Sequence, residues 1–322
     1  MEHKLEFEKS LTDLENKIKE LRDSAKPTEY SDALRNEINA LEREYINSLK
    51  EIYKNLSPWD RVQLSRHPDR PHTLDFVQTM VRDFHELFGD QRYADDKAML
   101  AGFGFIGEQR ICLIGIEKGR KTKDKIFRNF GMVRPEGYRK ALRVMRLAEQ
   151  FKIPIVILID TPGAYPGVGA EERGQSQAIA ENLLEMFNIK VPIISIVIGE
   201  GGSGGALALG IADAVMMMEF AVYSVISPES CASILWSDPR KAEMAANSLK
   251  LDPQNTLKLG IIDEIISEPT GGAHREPKVA IEMVEKRVVE MLNSLSRVTI
   301  PELLDKRFKK FRQMGNQTLE NI

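Results

Sequence analysis

The spacing of apolar positions divides the chain into regions that follow different rules. Phe7, Leu11, Leu14, Ile18 and Leu21 recur at alternating intervals of four and three, the seam of a coiled-coil-like helix. Pro27 and its polar neighbours interrupt this stripe, and Leu34, Ile38, Leu41, Tyr45, Leu49 and Ile52 resume it. Two helices joined by so short a break form an antiparallel hairpin. Each apolar face is too narrow to stand alone, so residues 1–56 read as an arm that lies on its own domain or on another subunit. Residues 57–97 read as connecting helices and loops, with residues 65–72 as a polar, proline-interrupted surface linker. His67 and His72 lack helical spacing and a fixed acidic partner, so they read as surface loop histidines and not as metal ligands.

From Met99 onward the pattern changes. Residues 99–106 and 110–116 read as two strands around Gly107, Glu108 and Gln109. Ala141, Val144, Met145 and Ala148 give residues 135–151 a helical period, with Pro135 placed for the first turn. Arg139, Arg143 and Arg146 follow on that helix at near-helical spacing and read as its solvent face. Residues 154–160 form a continuous apolar run, as a strand buried on both faces requires. A loop and a helix near 172–188 follow, then a second buried strand at 191–198, a glycine cluster and another helix. Residues 215–224 and 261–266 read as further strands. This alternation predicts an α/β fold of parallel βαβ units over residues 98–322, closed by amphipathic helices and a basic tail around Lys306, Arg307, Lys309 and Lys310.

Composition narrows the field. Hydrophobic residues make up 42% of the 322 and charged residues 29%, which excludes wholesale disorder. Lysine and arginine number 45 against 48 acids, and the net charge of -3 argues against a nucleic-acid partner. Cys112 and Cys231 offer neither a disulfide framework nor a cysteine-based zinc site. The absence of an apolar leader and of any run of 18 apolar residues, together with the few cysteines, gives an expectation of a cytoplasmic protein that does not span a membrane. One local cluster stands out: Lys118, Arg120, Lys121, Lys123, Lys125 and Arg128 put six positive charges into eleven residues, as a solvated loop, as a patch facing an anionic partner, or as a source of chance nucleic-acid affinity.

Glycines carry the candidate chemistry. Gly102, Gly104 and Gly107 match the dinucleotide fingerprint in letters only, because strand-like residues flank them where a helix must open. Gly201, Gly202, Ser203, Gly204 and Gly205 follow a buried strand and precede Ala206-Leu207-Ala208-Leu209, a good helix start. That context suits a nucleophile elbow with Ser203 attacking, or a helix start whose N–H groups bind an oxyanion. The hydrolase order needs a downstream histidine, and His274 sits in a loop-like segment with no strand to aim it. Glycine density suits close backbone approach to a ligand better. The preceding strand ends in Asp160-Thr161-Pro162-Gly163-Ala164-Tyr165-Pro166-Gly167, an irregular turn at the sheet edge where parallel sheets bind ligands. Asp160 reads as a cap on local backbone in preference to a catalytic base.

These two turns resemble those of the biotin-dependent carboxyltransferases of the crotonase superfamily, and more narrowly the alpha-subunit family of multisubunit acetyl-CoA carboxylase. The resemblance extends over the helical arm, Leu87-Phe88-Gly89-Asp90-Gln91, the segment from Asn129 to Lys140, and Ser227-Pro228-Glu229-Ser230. It implies a crotonase/ClpP-like core of repeated ββα units. It implies an active site shared with a beta subunit that bears a zinc ribbon and most acyl-CoA contacts, in an assembly of two alpha and two beta chains. Biotin would arrive on a biotin carboxyl carrier protein, carboxylated by an ATP-consuming biotin carboxylase, with no ATP and no metal on this chain. Transfer of the carboxyl group to acetyl-CoA, giving malonyl-CoA for fatty acid synthesis, develops negative charge on two oxygens that need preorganised donors. The resemblance places N–H groups around Gly204, Gly205 and Ala206 at the biotin ureido oxygen, with Gly163, Ala164, Tyr165, Gly202 and Ser203 walling the biotin pocket. A serine hydrolase or ClpP-like peptidase using Ser203 is the alternative reading of the same residues.

Overall fold

The structure is a computed structural model that describes residues 5–24 and 31–315. The break expected at Pro27 lies outside the described residues. Helix α1 (Lys9–Asp23) follows a short 3-10 turn, and α2 (Asp32–Lys54) starts on a Ser31 hydroxyl that accepts from the Leu34 N–H. Arg22 pairs with Glu42, Tyr45 donates to Glu15 and Tyr53 to Glu8, which are the rungs of an antiparallel hairpin. The foot of this hairpin stands on its own chain. Leu5, Leu11, Leu49, Tyr53 and Leu56 pack with Leu64 and Phe220, and the Arg275 guanidinium donates to Glu8, Glu15 and the Tyr45 oxygen.

Next come α3 (Pro58–Ser65), α4 (Thr73–Met80) and β1 (Arg82–Glu86). The strand was not expected. Its sequence, Arg-Asp-Phe-His-Glu, is charged as an edge strand's should be, and its register shifts between Arg82 and His85. Gly102 makes room for it, since a Cβ there would lie 2.2 Å from the His85 carbonyl oxygen. Residues 65–72 also depart from the surface linker expected of them. The Arg70 side chain is 2% exposed, forms a two-point pair with Glu268 at 2.7 and 2.8 Å and donates to the Ile198 carbonyl at 3.0 Å. His67 and His72 are buried with it, His67 against the ring of His274 at 4.4 Å. A polar stretch can go inside when its charges are met there by partners distant in sequence.

The core follows: β2 (Met99–Ile106), β3 (Gln109–Ile116), α5 (Thr122–Phe127), α6 (Pro135–Gln150), β4 (Ile155–Thr161), α7 (Val168–Glu171), α8 (Gln175–Asn188), β5 (Ile193–Gly202), α9 (Ser203–Leu207), β6 (Ala214–Met218), β7 (Val222–Ser224), α10 (Pro228–Trp236), α11 (Ala242–Leu249), α12 (Pro253–Lys258), β8 (Glu264–Ile266), α13 (Pro277–Leu295) and α14 (Ile300–Gln313). Among the described residues, one eight-stranded sheet has the order β1-β2-β3-β4-β5-β6-β8, with β7 beside β5. From β3 to β8 the strands are parallel, as expected, while β1, β2 and β3 are antiparallel. Every residue of β4 is buried, each large aliphatic side chain contributing about 1.5–3 kcal/mol. The strand expected over 215–224 is two: a turn closed by Ala221 N–H on the Met218 carbonyl lets β6 pair with the first half of β5 and β7 with the last.

Two expectations about arginines change. Arg139 reaches Asp90 at 2.8 Å and Arg143 the Phe88 and Gly89 carbonyls at 2.9–3.1 Å, so both tie α6 to the 87–95 loop; only Arg146 lies open to solvent. Arg307 of the basic tail is buried against Asp213 at 2.7 Å and three backbone carbonyls. Among the described residues no helix is long and apolar enough to cross a membrane.

Candidate active site

Strands β4 and β5 run side by side, with Ile159 opposite Val197 and Thr161 opposite Gly201, so the turns that leave their carboxyl ends are neighbours. The Thr161 hydroxyl donates to the Gly131 carbonyl at 2.7 Å and accepts from Gly163 N–H at 3.0 Å, which shapes the first turn. The second turn is pressed against it. A Cβ on Gly202 would sit 2.3 Å from the Pro162 carbonyl oxygen, and one on Gly205 2.6 Å from the Gly163 carbonyl carbon. A side chain at either position is therefore excluded by turn-to-turn packing. Gly204 and Gly163 face freer space, the nearest atoms being Ile179 Cδ1 at 3.5 Å and Ser203 Cβ at 3.6 Å.

That space is a cavity of about 570 Å³. Gly163, Ala164 and Tyr165 form one wall, Ser203 and Gly204 another. Ile179 and Leu183 of α8, Met132, Ile226 and Ser230 also line it, with polar groups from Glu171, Gln175, Ser176 and Ser227. Gly205 and Ala206 are buried behind this lining, and Gly202 is half-buried outside it. No side chain caps α9, and the N–H groups of Ser203, Gly204 and Gly205 lie in its first turn, ahead of the point where i→i−4 bonding begins. Ser203 and Gly204 bring this helix start to the cavity.

Of the residues that hold the walls, Gln175 carried no signal of its own in the sequence, while Asn129, Phe130 and Arg134 fall in the 129–140 segment of the resemblance. Gln175 donates to the carbonyls of Val133 and Tyr165, both at 2.9 Å, and Arg134 stacks on the Tyr165 ring at 4.5 Å. Asn129 and Phe130 both take positive φ, so the loop beside Met132 is a constrained one. Ser230 was within reach, because the segment 227–230 belongs to the resemblance; Ile226, just before it, was not.

Beneath both turns lies charge. Lys118, the first of the basic cluster, points inward, 2.7 Å from Asp160 and 2.9 Å from Glu200. Asp160 also accepts from Glu200 N–H at 2.8 Å, the backbone cap expected of it. Burial works to raise the Glu200 pKa, yet Lys118 and Arg66 outweigh it and hold the carboxyl at about 2. Of the remaining cluster, Arg120 holds the Pro68 and Arg70 carbonyls and Arg128 the Lys97 carbonyl, while Lys121 and Lys123 are exposed on α5 or beside it. His274 lies 3.7 Å from Glu8 at the foot of the arm, and among the described residues no histidine lines the cavity. Ser203 therefore has no imidazole to activate it. Among the described residues no group of three His, Cys, Asp or Glu side chains is placed to hold a metal ion.

The overall fold is shared with several solved structures. The beta subunit of Pseudomonas aeruginosa geranyl-CoA carboxylase matches with a TM-score of 0.55 at 15% identity, over 76% of this chain and 46% of that one. A Pseudomonas malonate decarboxylase hetero-tetramer in complex with coenzyme A gives 0.55 at 15%, over 71% and 91%. Transcarboxylase 12S gives 0.52 at 24%, this chain spanning 40% of it. The fold is that of the crotonase-type carboxyltransferases. A family model described as acetyl co-enzyme A carboxylase carboxyltransferase-like matches residues 4–315, and the chain belongs to that family. The acetyl-coenzyme A carboxylase carboxyl transferase subunit alpha of Xanthomonas axonopodis pv. citri is 51% identical over 311 residues, 97% of each chain. That of Fusobacterium nucleatum subsp. nucleatum is 52% identical over 311 residues, 97% of this chain and 99% of its own. The chain is a carboxyltransferase subunit of the alpha type, and the serine hydrolase reading falls.

Proposed function

We propose that this chain, joined to a beta subunit in the cytoplasm, transfers the carboxyl group of carboxybiotin on a carrier protein to acetyl-CoA, forming malonyl-CoA for fatty acid synthesis. The observation that carries this reading is the uncapped start of α9, with Ser203 and Gly204 facing the Gly163–Tyr165 turn across one cavity. Its make-up fits a bicyclic ureido ring: the uncapped first turn of α9 on one side, and Ile179, Leu183 and Ile226 on the others. Carboxybiotin, when bound, supplies the carboxyl group and a urea oxygen that gains negative charge as that group leaves. The N–H groups of Gly204, Gly205 and Ala206 meet that oxygen, each such donor lowering the barrier by about 3–4 kcal/mol. Ala164 and Tyr165 hold the ring's other face and keep water from it.

The acyl-CoA side belongs to the beta subunit, which would bear the zinc ribbon. Leu207, Val225, Ile234 and Leu235 are exposed apolar residues that adjoin the lining residues in sequence, and they suit the face this partner covers. The arm, anchored on its own chain, offers a second contact toward beta or toward another alpha chain in an assembly of two of each. ATP is spent by the separate biotin carboxylase. The test is to assay malonyl-CoA formation from carboxybiotin and acetyl-CoA with this chain alone and co-purified with a beta-type chain. Activity is expected in the complex only. Ester or peptide hydrolysis by the lone chain, with no carboxyl transfer by the complex, would overturn the proposal.

A further inference from the structure

Besides α7 and α8, four segments wall the cavity: the 129–132 loop, the turn after β4, the turn after β5 and the start of α10. All four lead back to one place. Asp160 is the last residue before Thr161, and Glu200 precedes the glycines of the second turn. Lys118, just beyond the end of β3, sets its ammonium between them at 2.7 and 2.9 Å. Its stem fills the space left by Gly131, where a Cβ would meet Lys118 Cγ at 2.7 Å, and the Gly131 carbonyl is the one that orients Thr161. Gly199 has no room either, since a Cβ there would come within 2.7 Å of Asp160 Oδ1. Arg66, from the end of α3, completes the group at 2.7 Å from Glu200 and 2.5 Å from Glu229 of α10, whose next residue, Ser230, lines the cavity.

The charged groups that meet here are thus Lys118, Arg66, Asp160, Glu200 and Glu229, two cations against three carboxylates. The side chains of Lys118, Asp160 and Glu200 are 15%, 5% and 10% exposed, so this is no solvated surface pair. Burial by itself would lower the Lys118 pKa, but Asp160 and Glu200 outweigh it and raise it above the ordinary value. None of the five touches the cavity. We propose that Lys118 is a positioning residue whose ammonium, seated between Asp160 and Glu200, fixes the spacing of the two turns that bind the carboxyl donor. This rests on the carboxyltransferase reading. Without the ammonium, two buried carboxylates face each other over one site and push apart, carrying the turns with them.

The test uses the complex with a beta-type chain and compares wild type with Lys118→Met, Lys118→Arg and the double variant Lys118→Met/Asp160→Asn. For Lys118→Met, kcat should fall about 100-fold at about pH 8, because a sub-ångström shift of the donors is enough. KM for acetyl-CoA should stay within about threefold. At about pH 6 the deficit should shrink, as the facing carboxylates take up one proton between them. Lys118→Arg should restore most of kcat, and the double variant should regain about tenfold over the single one by removing the repulsion. Hydrogen exchange of the amides in 161–166 and 200–206 should quicken in Lys118→Met while the global unfolding midpoint shows a folded chain. Unchanged kcat, unchanged exchange at both turns, or a double variant worse than the single one would each overturn the inference. A wild-type complex that makes no malonyl-CoA would instead overturn the function beneath it, leaving the exchange result to judge the placement of the turns.

Discussion

Beneath the cavity, Lys118 joins Asp160 to Glu200; at the foot of the arm, Arg275 joins Glu8 to Glu15 and Tyr45. Both clusters sink a carboxylate, and both hold one at about 2, Glu200 by Lys118 and Arg66 against its burial, Glu8 by His274, Tyr53 and Arg275 against its own. Their partners differ in kind. Asp160 and Glu200 are backbone-continuous with the turns they support, so a shift of either carboxylate moves N–H groups at the site. Glu8, Glu15 and Tyr45 belong to a hairpin laid on from outside, and the same chemistry there sets attachment and not catalytic geometry. What a buried charge group does is decided by which backbone its members continue into.

The strongest way to break this comparison is at the turns themselves. Gly205→Val places side-chain atoms where the Gly163–Ala164 backbone already lies, at 2.6–2.8 Å, and must pry the turns apart. We expect kcat for malonyl-CoA formation to fall at least about 100-fold, the loss of one donor's worth of stabilisation or more. A folded Gly205→Val complex with near-normal kcat would show that the spacing of the turns does not matter.

Next is the arm. Arg275→Met leaves Glu8 buried with Tyr53 and His274 and without its strongest cation, and should destabilise the docked hairpin by about 3 kcal/mol. With the beta chain in excess, kcat should stay within about twofold, since the clusters share no partner. Urea unfolding and kcat measured on the same preparation decide it, and a loss of kcat equal to that of Lys118→Met would erase the distinction. Its pH dependence sharpens the point. Glu8 is held at about 2 in the fold against an ordinary 4.5. Its contribution is therefore complete above about 4.5 and lost as pH falls toward about 2, so the gap in stability between wild type and Arg275→Met should narrow over that window. A gap that widens on acidification would contradict the assignment.

The sequence made the scaffold plain where burial acts on both faces of an element. β4 opens on five aliphatic residues and β5 is broken only by Ser195 before Gly199, and α6 shows its period and its Pro135 start. β1 escaped notice because an edge strand with a bulge needs no apolar alternation; the glycines at 102 and 104 that admit it resembled a nucleotide fingerprint instead. The helices over 228–258 are short, and two of them end in left-handed residues, Ser237 and Lys250, so no long stripe announces them. At the site, the glycine turns were legible because local backbone geometry constrains local sequence. Lys118 was not, since its partners Asp160 and Glu200 lie far along the chain and its neighbours make it read as one of a solvated set. One signal did exist: Lys118, Asp160 and Glu200 each stand at the carboxyl end of consecutive buried strands.

The smallest effect belongs to the residue that looks most like a nucleophile. Ser203 sits at φ +51, in the left-handed region, at the head of a helix that follows a strand, as an elbow serine would. Yet among the described residues no histidine shares the cavity, His274 being committed to Glu8 and the ring of His67, and the Ser203 hydroxyl has no hydrogen-bond partner among them. What the position supplies is backbone, and the left-handed turn is what delivers the N–H groups after it. Alanine holds that conformation about as poorly as serine does, so Ser203→Ala should change kcat by no more than about threefold and stability by less than about 0.5 kcal/mol. Ser203→Gly should be slightly more stable, by about 1 kcal/mol, with kcat again nearly unchanged. A folded Ser203→Ala complex without activity would mean that the hydroxyl takes part in the chemistry, and that the cavity works through a side chain and not through the amides of the turn.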